Sequence, residues 1–463
     1  MPVDIDALLA DRSAEKYELY DRHLNAQMVR VLKTIGFDRH YVRGQGPYLY
    51  DREANRYLDL LSGFGVFAVG RNHPAVIGAL QQTLNAELPN LVQMDVSLLS
   101  GLLAERLLPL LPGMEKMFFC NSGAEAVEAA IKFARCATGH DKVIFCEHAF
   151  HGLTYGALSL NGDDHFRDGF GPLLPGCVAV PFNDIDALET ALAAGNVAAF
   201  VVEPIQGKGV NIPDDNYLRE AARLCRRHGA LFIADEIQTG IGRTGKFVAI
   251  EHWNVEPDMI LLAKALSGGF VPVGAVAMKK STFNRIFDRM DRAVVHGSTF
   301  AKTDIAMAAG LATLQVIEDE KLIENAARIG AGITADLAAL IGRHEFVKAV
   351  RGKGLMIAIE FGSPKSLSLK AAWMLLEQAN KGLFCQLITI PLLKEHRIMS
   401  QVAGYGMNVI KLIPSLTLNE EDRAWIRRGF EQVVADAHRV PGAIWDLGRT
   451  LASHSLKARS SAA

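Results

Sequence analysis

Two stretches of the chain, LFIADEIQTGIGRTGKF at 231–247 and MILLAKALSGG at 259–269, decide the fold. Each starts with a short apolar run that ends in a charged side chain, Asp235 in the first and Lys264 in the second. Short apolar runs separated by helix-sized segments are typical of buried strands in a mainly parallel sheet. Because the carboxyl ends of parallel strands meet at one edge, where α/β folds bind ligands, the pattern predicts that these two side chains lie together there.

The same pattern extends outward along the chain. Further short apolar runs occur at 116–120, 142–146, 198–204 and 273–278. They predict more strands of the same sheet, flanked by helices. Nearer the N-terminus, apolar residues at three- and four-residue steps over about 14–35 predict an amphipathic helix, and alternation over 48–63 predicts a hairpin. Two later runs, at 354–361 and 408–414, predict strands outside the large sheet.

These elements divide the chain into parts of different character. We predict an N-terminal segment over 1–85 that contributes a helix and part of a smaller domain, and a large domain over 86–325. Residues 326–450 complete the smaller α+β domain, which is therefore built from both chain ends. The polar tail over 451–463 is predicted to be disordered.

Composition excludes several classes of function. In 463 residues, Lys+Arg number 49 and Asp+Glu 51, so there is no global basic field for nucleic acid. No apolar run reaches the roughly 18 residues of a membrane span, and the acidic N-terminus lacks the apolar region of a secretory signal. The six cysteines are scattered without metal-ligand spacing, so we expect no metal, free thiols and a cytoplasmic protein.

Two further stretches are candidates for ligand binding. In NSGAEAVEAAIKFAR, Ser122, Gly123 and Ala124 follow an apolar run and open a helix, where backbone N–H groups can hold a phosphate. The same residue types also form plain helix caps, and this alternative stays open. After another apolar run come Phe150 and His151, which suit stacking on a planar heterocycle but equally suit ordinary packing.

The charged residues of the two central stretches suggest chemistry. Buried carboxylates without partners are costly, so either Asp235 or Glu236 could hold a protonated pyridine nitrogen. The glycine-rich loop after them brings Gln238 close to the same place. Lys264 ends an apolar run, and a desolvated lysine has a lowered pKa, which suits an amine that attacks a carbonyl carbon.

The motifs CNSGAEA, FHG, EPIQG, ADEIQTGIGRTG, LLAKALSGG and HGSTF, in this order, resemble the class III (ornithine and ω-amino acid type) aminotransferase family of fold-type I enzymes. The resemblance covers about residues 40–420. It implies a pyridoxal 5'-phosphate cofactor bound as a Schiff base to Lys264. It also implies that Asp235 pairs with the pyridine nitrogen and that Gln238 lies near the phenolic oxygen.

The resemblance implies further roles around the cofactor. Phe150 would stack on the ring face, Gly123 and Ala124 would cradle the phosphate, and Thr299 would reach the phosphate bound by the other subunit. A homodimer, with its active site at the subunit interface, would then be the functional minimum. The expected cofactor-binding residues are Ser122, Gly123, Ala124, Phe150, His151, Glu203, Asp235, Gln238, Lys264 and Thr299.

Two lysines depart from the family's pattern at positions that concern the substrate. EPIQGKG carries Lys208 where relatives commonly have a Glu, and NVIKLIPSL carries Lys411 where they have an Arg that docks the substrate carboxylate. If both lysines face the pocket, they form a cationic patch for an anionic group. We take Lys208, Lys411 and Phe64 as the candidate substrate residues.

The expected reaction is ping-pong transfer of an amino group from a primary amine to a keto acid or an aldehyde. The amine is a distal or lipophilic amine or an amino acid. The apolar stretches at 62–70 and 382–393 suit a hydrophobic substrate, and aminotransferases that form lipid amines look similar there, but both stretches also suit a protein core. An aminomutase or a decarboxylating transaminase of the same family is the alternative. A non-catalytic cofactor-binding protein is disfavoured because Lys264, Asp235 and Gln238 are all present.

Overall fold

The computed structural model describes residues 3–92, 95–439, 442, 444–448 and 451. The strands are β1 (Tyr41–Gln45), β2 (Tyr48–Asp51), β3 (Arg56–Asp59), β4 (Lys116–Cys120), β5 (Lys142–Cys146), β6 (Cys177–Val180), β7 (Val197–Val202), β8 (Leu231–Asp235), β9 (Met259–Leu262), β10 (Gly274–Met278), β11 (Val347–Lys353), β12 (Met356–Phe361), β13 (Ile398–Met399), β14 (Gln401–Val402) and β15 (Val409–Leu412).

The α-helices are α1 (Ile5–Arg12), α2 (Lys16–His23), α3 (Ala26–Ile35), α4 (Ser62–Gly65), α5 (Pro74–Asn85), α6 (Leu98–Leu107), α7 (Gly123–Thr138), α8 (Tyr155–Ser159), α9 (Asp164–Arg167), α10 (Ile185–Ala193), α11 (Tyr217–His228), α12 (Lys280–Ile286), α13 (Asp304–Asp319), α14 (Leu322–Ala338), α15 (Leu367–Ala379), α16 (Leu383–Lys394) and α17 (Glu420–Ala437). Short 3-10 helices are Ser13–Glu15, Leu108–Leu110, Ala249–Trp253, Lys264–Ser267 and Met290–Arg292. No helix among the described residues is long and apolar enough to cross a membrane.

The large sheet has the strand order β4-β10-β9-β8-β7-β5-β6. Only β10 runs against its neighbours, so the predicted mainly parallel sheet is confirmed. Along β7, Phe200 and Val202 pack into one hydrophobic cluster while Ala199 and Val201 pack into another. Helices therefore cover both faces, which explains why these strands read as continuous apolar runs. Strand β6 was not predicted, because its run CVAV is short and half-exposed at the sheet edge.

Two smaller sheets have the orders β1-β2-β3-β13 and β11-β12-β15-β14. The predicted hairpin is the antiparallel pair β2 and β3. Strand β13, from the C-terminal third, pairs in parallel with β3, so both chain ends enter one sheet, as predicted. The domain boundaries after 85 and after 325 stay predictions.

The prediction of one continuous helix over 14–35 was wrong. The chain forms a 3-10 turn, then α2 and α3, with a break at Leu24 and Asn25. The Asn25 side chain accepts a hydrogen bond from the Met28 N–H at 3.1 Å and so starts α3 as its N-cap. An amide side chain in the middle of an amphipathic pattern was the signal for this break.

The apolar stretch 382–393 lies in α16, and its side chains are buried in the main hydrophobic cluster. It is therefore core, and it gives no support to a lipophilic substrate. The prediction of a disordered tail over 451–463 lies outside the described residues, except at Leu451, which is buried in a helical position.

Candidate active site

A cavity of 480 Å³ opens at the carboxyl edge of the large sheet, and Lys264 is among its lining residues. Lys264 does not end a strand as predicted, because β9 stops at Leu262 and Lys264 begins the 3-10 helix Lys264–Ser267. Its φ is +43°, a left-handed value that costs energy in any residue with a Cβ. Burial lowers the pKa of Lys264, against the charges of Asp235 and Glu203, which raise it.

Asp235 ends β8, in register with Leu261 of the adjacent parallel strand β9, as predicted. It is buried, and its Oδ2 lies 2.6 Å from Nδ1 of His151. Burial acts to lower the pKa of His151, but the hydrogen bond to Asp235 and the charges of Asp235 and Glu203 together outweigh it, and the pKa is raised. Nε2 of His151 is buried without a hydrogen-bond partner among the described residues. The Asp235 and His151 pair thus has one ring nitrogen available to hydrogen-bond a ligand beside the cavity.

Glu203 supports the aromatic residue of the cavity wall. Its carboxylate accepts hydrogen bonds from the N–H of Phe150 at 3.0 Å and from the N–H of Gly207 at 2.7 Å. Burial raises the pKa of Glu203, and the nearby His151 opposes that rise. Glu203 therefore fixes the backbone at Phe150 and does not itself line the cavity.

The small-residue turn before α7 lines the opposite part of the cavity. The Ser122 side chain accepts a hydrogen bond from the N–H of Glu125 at 3.1 Å, so it is a true N-cap. The N–H groups of the first helical turn still point out of the helix end into the cavity region. A Cβ on Gly123 would come within 2.9 Å of Ile237, so only glycine lets this turn approach the β8 loop. Ser122 can therefore cap the helix while other N–H groups of the same turn bind an anion.

Gln238 bridges two parts of the cleft. Its Nε2 donates to the backbone oxygen of Phe64 at 3.1 Å, and its Oε1 accepts from Nζ of Lys411 at 3.2 Å. Phe64 is 49% exposed at φ +62°, so its ring faces outward. Thr299 is exposed and is not among the cavity-lining residues of its own chain.

The two lysines of the expected patch differ in their partners. Nζ of Lys208 lies 2.9 Å from Oδ2 of Asp163, and it also lies 4.4 Å from the ring centroid of Phe166. Lys208 is buried and its charge is neutralised by Asp163. Sequence reasoning missed Asp163, although an Asp-Asp pair before HFR was a signal for a helix start that could also pair with a base.

Lys411, in contrast, is buried on β15 without an acidic partner in the part of the chain that the structure describes. Its Nζ donates to the backbone oxygen of Gly207 at 2.8 Å and to Gln238. Burial lowers the pKa of Lys411 to about 7, and the positive charge of Lys264 adds to the effect. An ammonium in this state gains from any anionic group that binds beside it.

Two other buried charged side chains hydrogen-bond to the backbone and so stabilise the fold. Glu236 accepts the N–H groups of Ala249 at 2.9 Å and Ile250 at 2.7 Å, at the start of a 3-10 helix. Burial raises the pKa of Glu236 to about 7. Arg243 is fully buried and donates to the backbone oxygens of Leu355 and Pro414. Of the two adjacent acids, Asp235 is therefore the one that is available to a ligand.

Comparisons with known proteins point in one direction. A family model described as aminotransferase class III matches residues 33–434. The ornithine aminotransferase of Bacillus cereus is 36% identical over 412 residues, covering 85% of this chain and 93% of the relative. The aminotransferase PigE of a Serratia species is 34% identical over 453 residues, but the match covers 90% of this chain and only 53% of PigE.

Solved structures agree with the sequence relatives. The ornithine aminotransferase of Toxoplasma gondii superposes with a TM-score of 0.77 at 31% identity, covering 92% of this chain and 98% of that one. A sixfold mutant of the omega transaminase of Pseudomonas jessenii gives a TM-score of 0.78 at 29% identity, covering 86% and 92%.

Proposed function

This chain belongs to the class III aminotransferase family, which makes it a fold-type I, pyridoxal-phosphate-dependent transaminase, and we propose that Lys264 is the lysine that carries the cofactor. The observation behind this proposal is that the Lys264 side chain lines the same cavity as the small-residue turn before α7. Asp235 stands at the end of the neighbouring strand. An amine, an anion site and a carboxylate thus occupy one edge of the sheet.

The residues present fit pyridoxal phosphate. Nε2 of His151 is buried without a hydrogen-bond partner among the described residues, and a Cβ at Gly123 would meet Ile237, another residue of the cavity wall. The lowered pKa of Lys264 leaves more of its amine uncharged, as attack on an aldehyde requires. When bound, the cofactor supplies an aldehyde for amines and a pyridinium ring that accepts electrons from the substrate Cα.

The chain's own residues then have separate tasks. Asp235, oriented by His151, holds a proton at the pyridine nitrogen. Lys264, freed by the incoming amine, moves a proton to and from the substrate Cα. Phe150, whose backbone is held by Glu203, would hold the ring against the cavity wall. The N–H groups at 123 and 124 would hold the phosphate.

For the substrate we propose a primary amine donor and a keto acid or aldehyde acceptor. Lys411 is the candidate for the acceptor's carboxylate, because it is the buried lysine of the cleft that no acid neutralises among the described residues. Lys208 is not a candidate for that role, because its ammonium is paired with Asp163. Phe64 borders the cleft through its backbone contact with Gln238.

We propose a homodimer as the active unit. Apolar side chains are exposed around the segment that holds Thr299, among them Val96, Leu98, Met290, Val294 and Phe300. Such a patch is costly unless another subunit covers it. The exposed Thr299 is then free to reach the partner's phosphate site. A cytoplasmic location is also proposed, and the six free thiols support it.

Half-reaction spectroscopy tests the function. The purified protein, reconstituted with pyridoxal phosphate, is expected to show a visible band that an amino donor bleaches and a keto acid restores. Bleaching that neither a keto acid nor an aldehyde restores would contradict transamination. No band at all would contradict cofactor binding.

A further inference from the structure

The ion pair between Lys208 and Asp163 lies at the edge of the cofactor cavity. Nζ of Lys208 lies 2.9 Å from Oδ2 of Asp163, and it lies 5.6 Å from the ring centroid of Phe150, which lines the cavity. The Lys208 side chain is 8% exposed, whereas that of Asp163 is 23% exposed. The lysine is therefore the inner member of the pair, and the aspartate is the member nearer to solvent.

Lys208 and Lys411 bring positive charge to the same part of the cleft. Nζ of Lys411 donates to the backbone oxygen of Gly207, the residue before Lys208, at 2.8 Å. Burial lowers the pKa of Lys411 most, and the charges of Lys264 and Lys208 add to that effect. Lys208 and Lys411 are thus close enough for their charges to interact. A ligand with two carboxylates would meet both ammonium groups if neither had an acidic partner.

Asp163 changes what such a ligand meets. Burial acts to raise the pKa of Asp163, but hydrogen bonds from Lys208 and the His165 N–H, with the charges of both residues, outweigh it and the pKa is lowered. Asp163 is therefore ionised at neutral pH and offsets the charge of Lys208. A second carboxylate would meet an ammonium that is already paired, beside a carboxylate of its own sign. Lys411 presents no such obstacle to a single carboxylate.

We propose that Asp163 determines acceptor specificity: it selects keto acids with one carboxylate over those with two, by neutralising the lysine that would bind the second carboxylate. This rests on the proposed aminotransferase function and on Lys411 as the dock for the first carboxylate. Discrimination against a competing ligand commonly uses a repulsive group of this kind. Asp163 does not line the cavity, so its removal should change the choice of acceptor and leave the chemistry intact.

The test compares pyruvate with 2-oxoglutarate on holoenzyme whose visible band an amino donor has bleached. The rate at which each keto acid restores the band gives its second-order rate constant. The wild type is expected to prefer pyruvate. Asp163→Asn should raise the rate constant for 2-oxoglutarate about tenfold, because a charge-assisted hydrogen bond is gained and a repulsion is lost, and should leave that for pyruvate unchanged.

The variant is chosen so that it keeps the local fold. The Asp163 side chain accepts the His165 N–H at 3.0 Å at the start of α9, and asparagine caps a helix equally well. Asp164→Asn is the matched control, since it makes the same charge change at the next residue, where the side chain is 98% exposed. It should change neither rate constant. Adding Lys208→Met to Asp163→Asn should return the rate constant for 2-oxoglutarate to the wild-type value.

Binding without turnover provides a second measurement. Glutarate has two carboxylates and no keto group, and a ligand that binds the folded protein raises its Tm. Glutarate should therefore raise the Tm of Asp163→Asn holoenzyme more than that of the wild type, whereas propionate should raise both equally.

The outcomes separate this inference from the proposed function. If pyruvate restores the band but Asp163→Asn leaves the ratio of the two rate constants unchanged, only this inference fails. A wild type that prefers 2-oxoglutarate, or a gain in Asp163→Asn that Lys208→Met does not reverse, would also overturn it. If neither a keto acid nor an aldehyde restores the band in the wild type, the proposed function fails and the inference with it.

Discussion

The cofactor side of the cleft and its substrate side satisfy their polar groups in different ways. On the cofactor side, the Asp235 and His151 pair is buried and Nε2 of His151 has no partner among the described residues. On the substrate side, Lys208 is paired with Asp163, and Lys411 donates to Gly207 and Gln238.

We infer that the difference reflects how long each ligand stays bound. A cofactor that is held throughout turnover can complete the hydrogen bonds of its site, so the protein leaves capacity for it. Substrates leave in every catalytic cycle. While the substrate site is empty, contacts within the protein avoid the free-energy cost of an unpaired buried charge. A substrate carboxylate must therefore compete with protein contacts of Lys411, whereas the cofactor need not.

The largest effect is expected for Lys264→Ala. Without the amine there is neither covalent attachment nor proton transfer, so turnover should fall at least about 10⁴-fold. Thermal unfolding should stay close to wild type, because alanine inherits the same left-handed φ and the variant removes an amine whose charged form is disfavoured by burial. Lys370→Ala, at an exposed position of α15, is the control. Substantial turnover in Lys264→Ala would contradict the proposal that Lys264 carries the cofactor.

Next in size is Asp235→Asn. The neutral amide cannot hold the pyridine proton, so kcat should fall by about 10³-fold, measured in steady state with cofactor in excess. The geometry toward His151 should be retained, since the amide has nearly the same shape. A rate near that of the wild type would show that another group keeps the pyridine nitrogen protonated.

A smaller effect is expected on the substrate side. Lys411→Ala should raise KM for a keto acid about tenfold, because a charge-assisted hydrogen bond is lost, and should hardly change KM for a neutral amine donor. In the role proposed for Lys411, its protonated form binds the carboxylate. With a pKa of about 7, KM for the keto acid should rise as the pH is raised above about 7.

The charged neighbours that influence Lys411 are Lys264, Glu203, Lys208 and Arg243. The pH dependence is therefore checked in Lys411→Arg, whose guanidinium stays protonated. That variant should lose the rise of KM with pH. A rise that persists in it would assign the titration to another group.

The smallest effect on activity is expected for Glu236→Gln, the neighbour of Asp235. Its carboxylate binds backbone N–H groups and no ligand, so kcat should stay within about threefold of wild type. Unfolding in urea should show a loss of about 1–3 kcal/mol, because a buried N–H loses its best acceptor. If Glu236→Gln lost as much activity as Asp235→Asn, the division between scaffold and site would be wrong.

The cofactor side could be predicted largely from sequence. Asp235 and Lys264 follow apolar runs on adjacent parallel strands, so strand topology alone brings them together. The turn at 122–124 carries its own local signal, a capped helix after a strand. The left-handed φ of Lys264 could not be predicted, because a residue with a Cβ carries no sequence signal for that conformation.

The substrate side could not be predicted in the same way. Lys208 and Asp163 are 45 positions apart, and no periodicity relates them. His165 lies on α9 and Tyr405 in the loop between β14 and β15, and they meet only in the folded chain. The sequence marked both lysines as unusual, but whether a charge faces a ligand or a carboxylate is decided by tertiary contacts.

Borohydride reduction of the reconstituted protein, followed by peptide mapping, tests the central claim most directly. Reduction should fix pyridoxal phosphate on the peptide that carries Lys264 and on no other lysine. The peptides with Lys208 and Lys411 are internal controls, since both lysines are buried in the same cleft. Labelling at either of them, with Lys264 unmodified, would contradict the account.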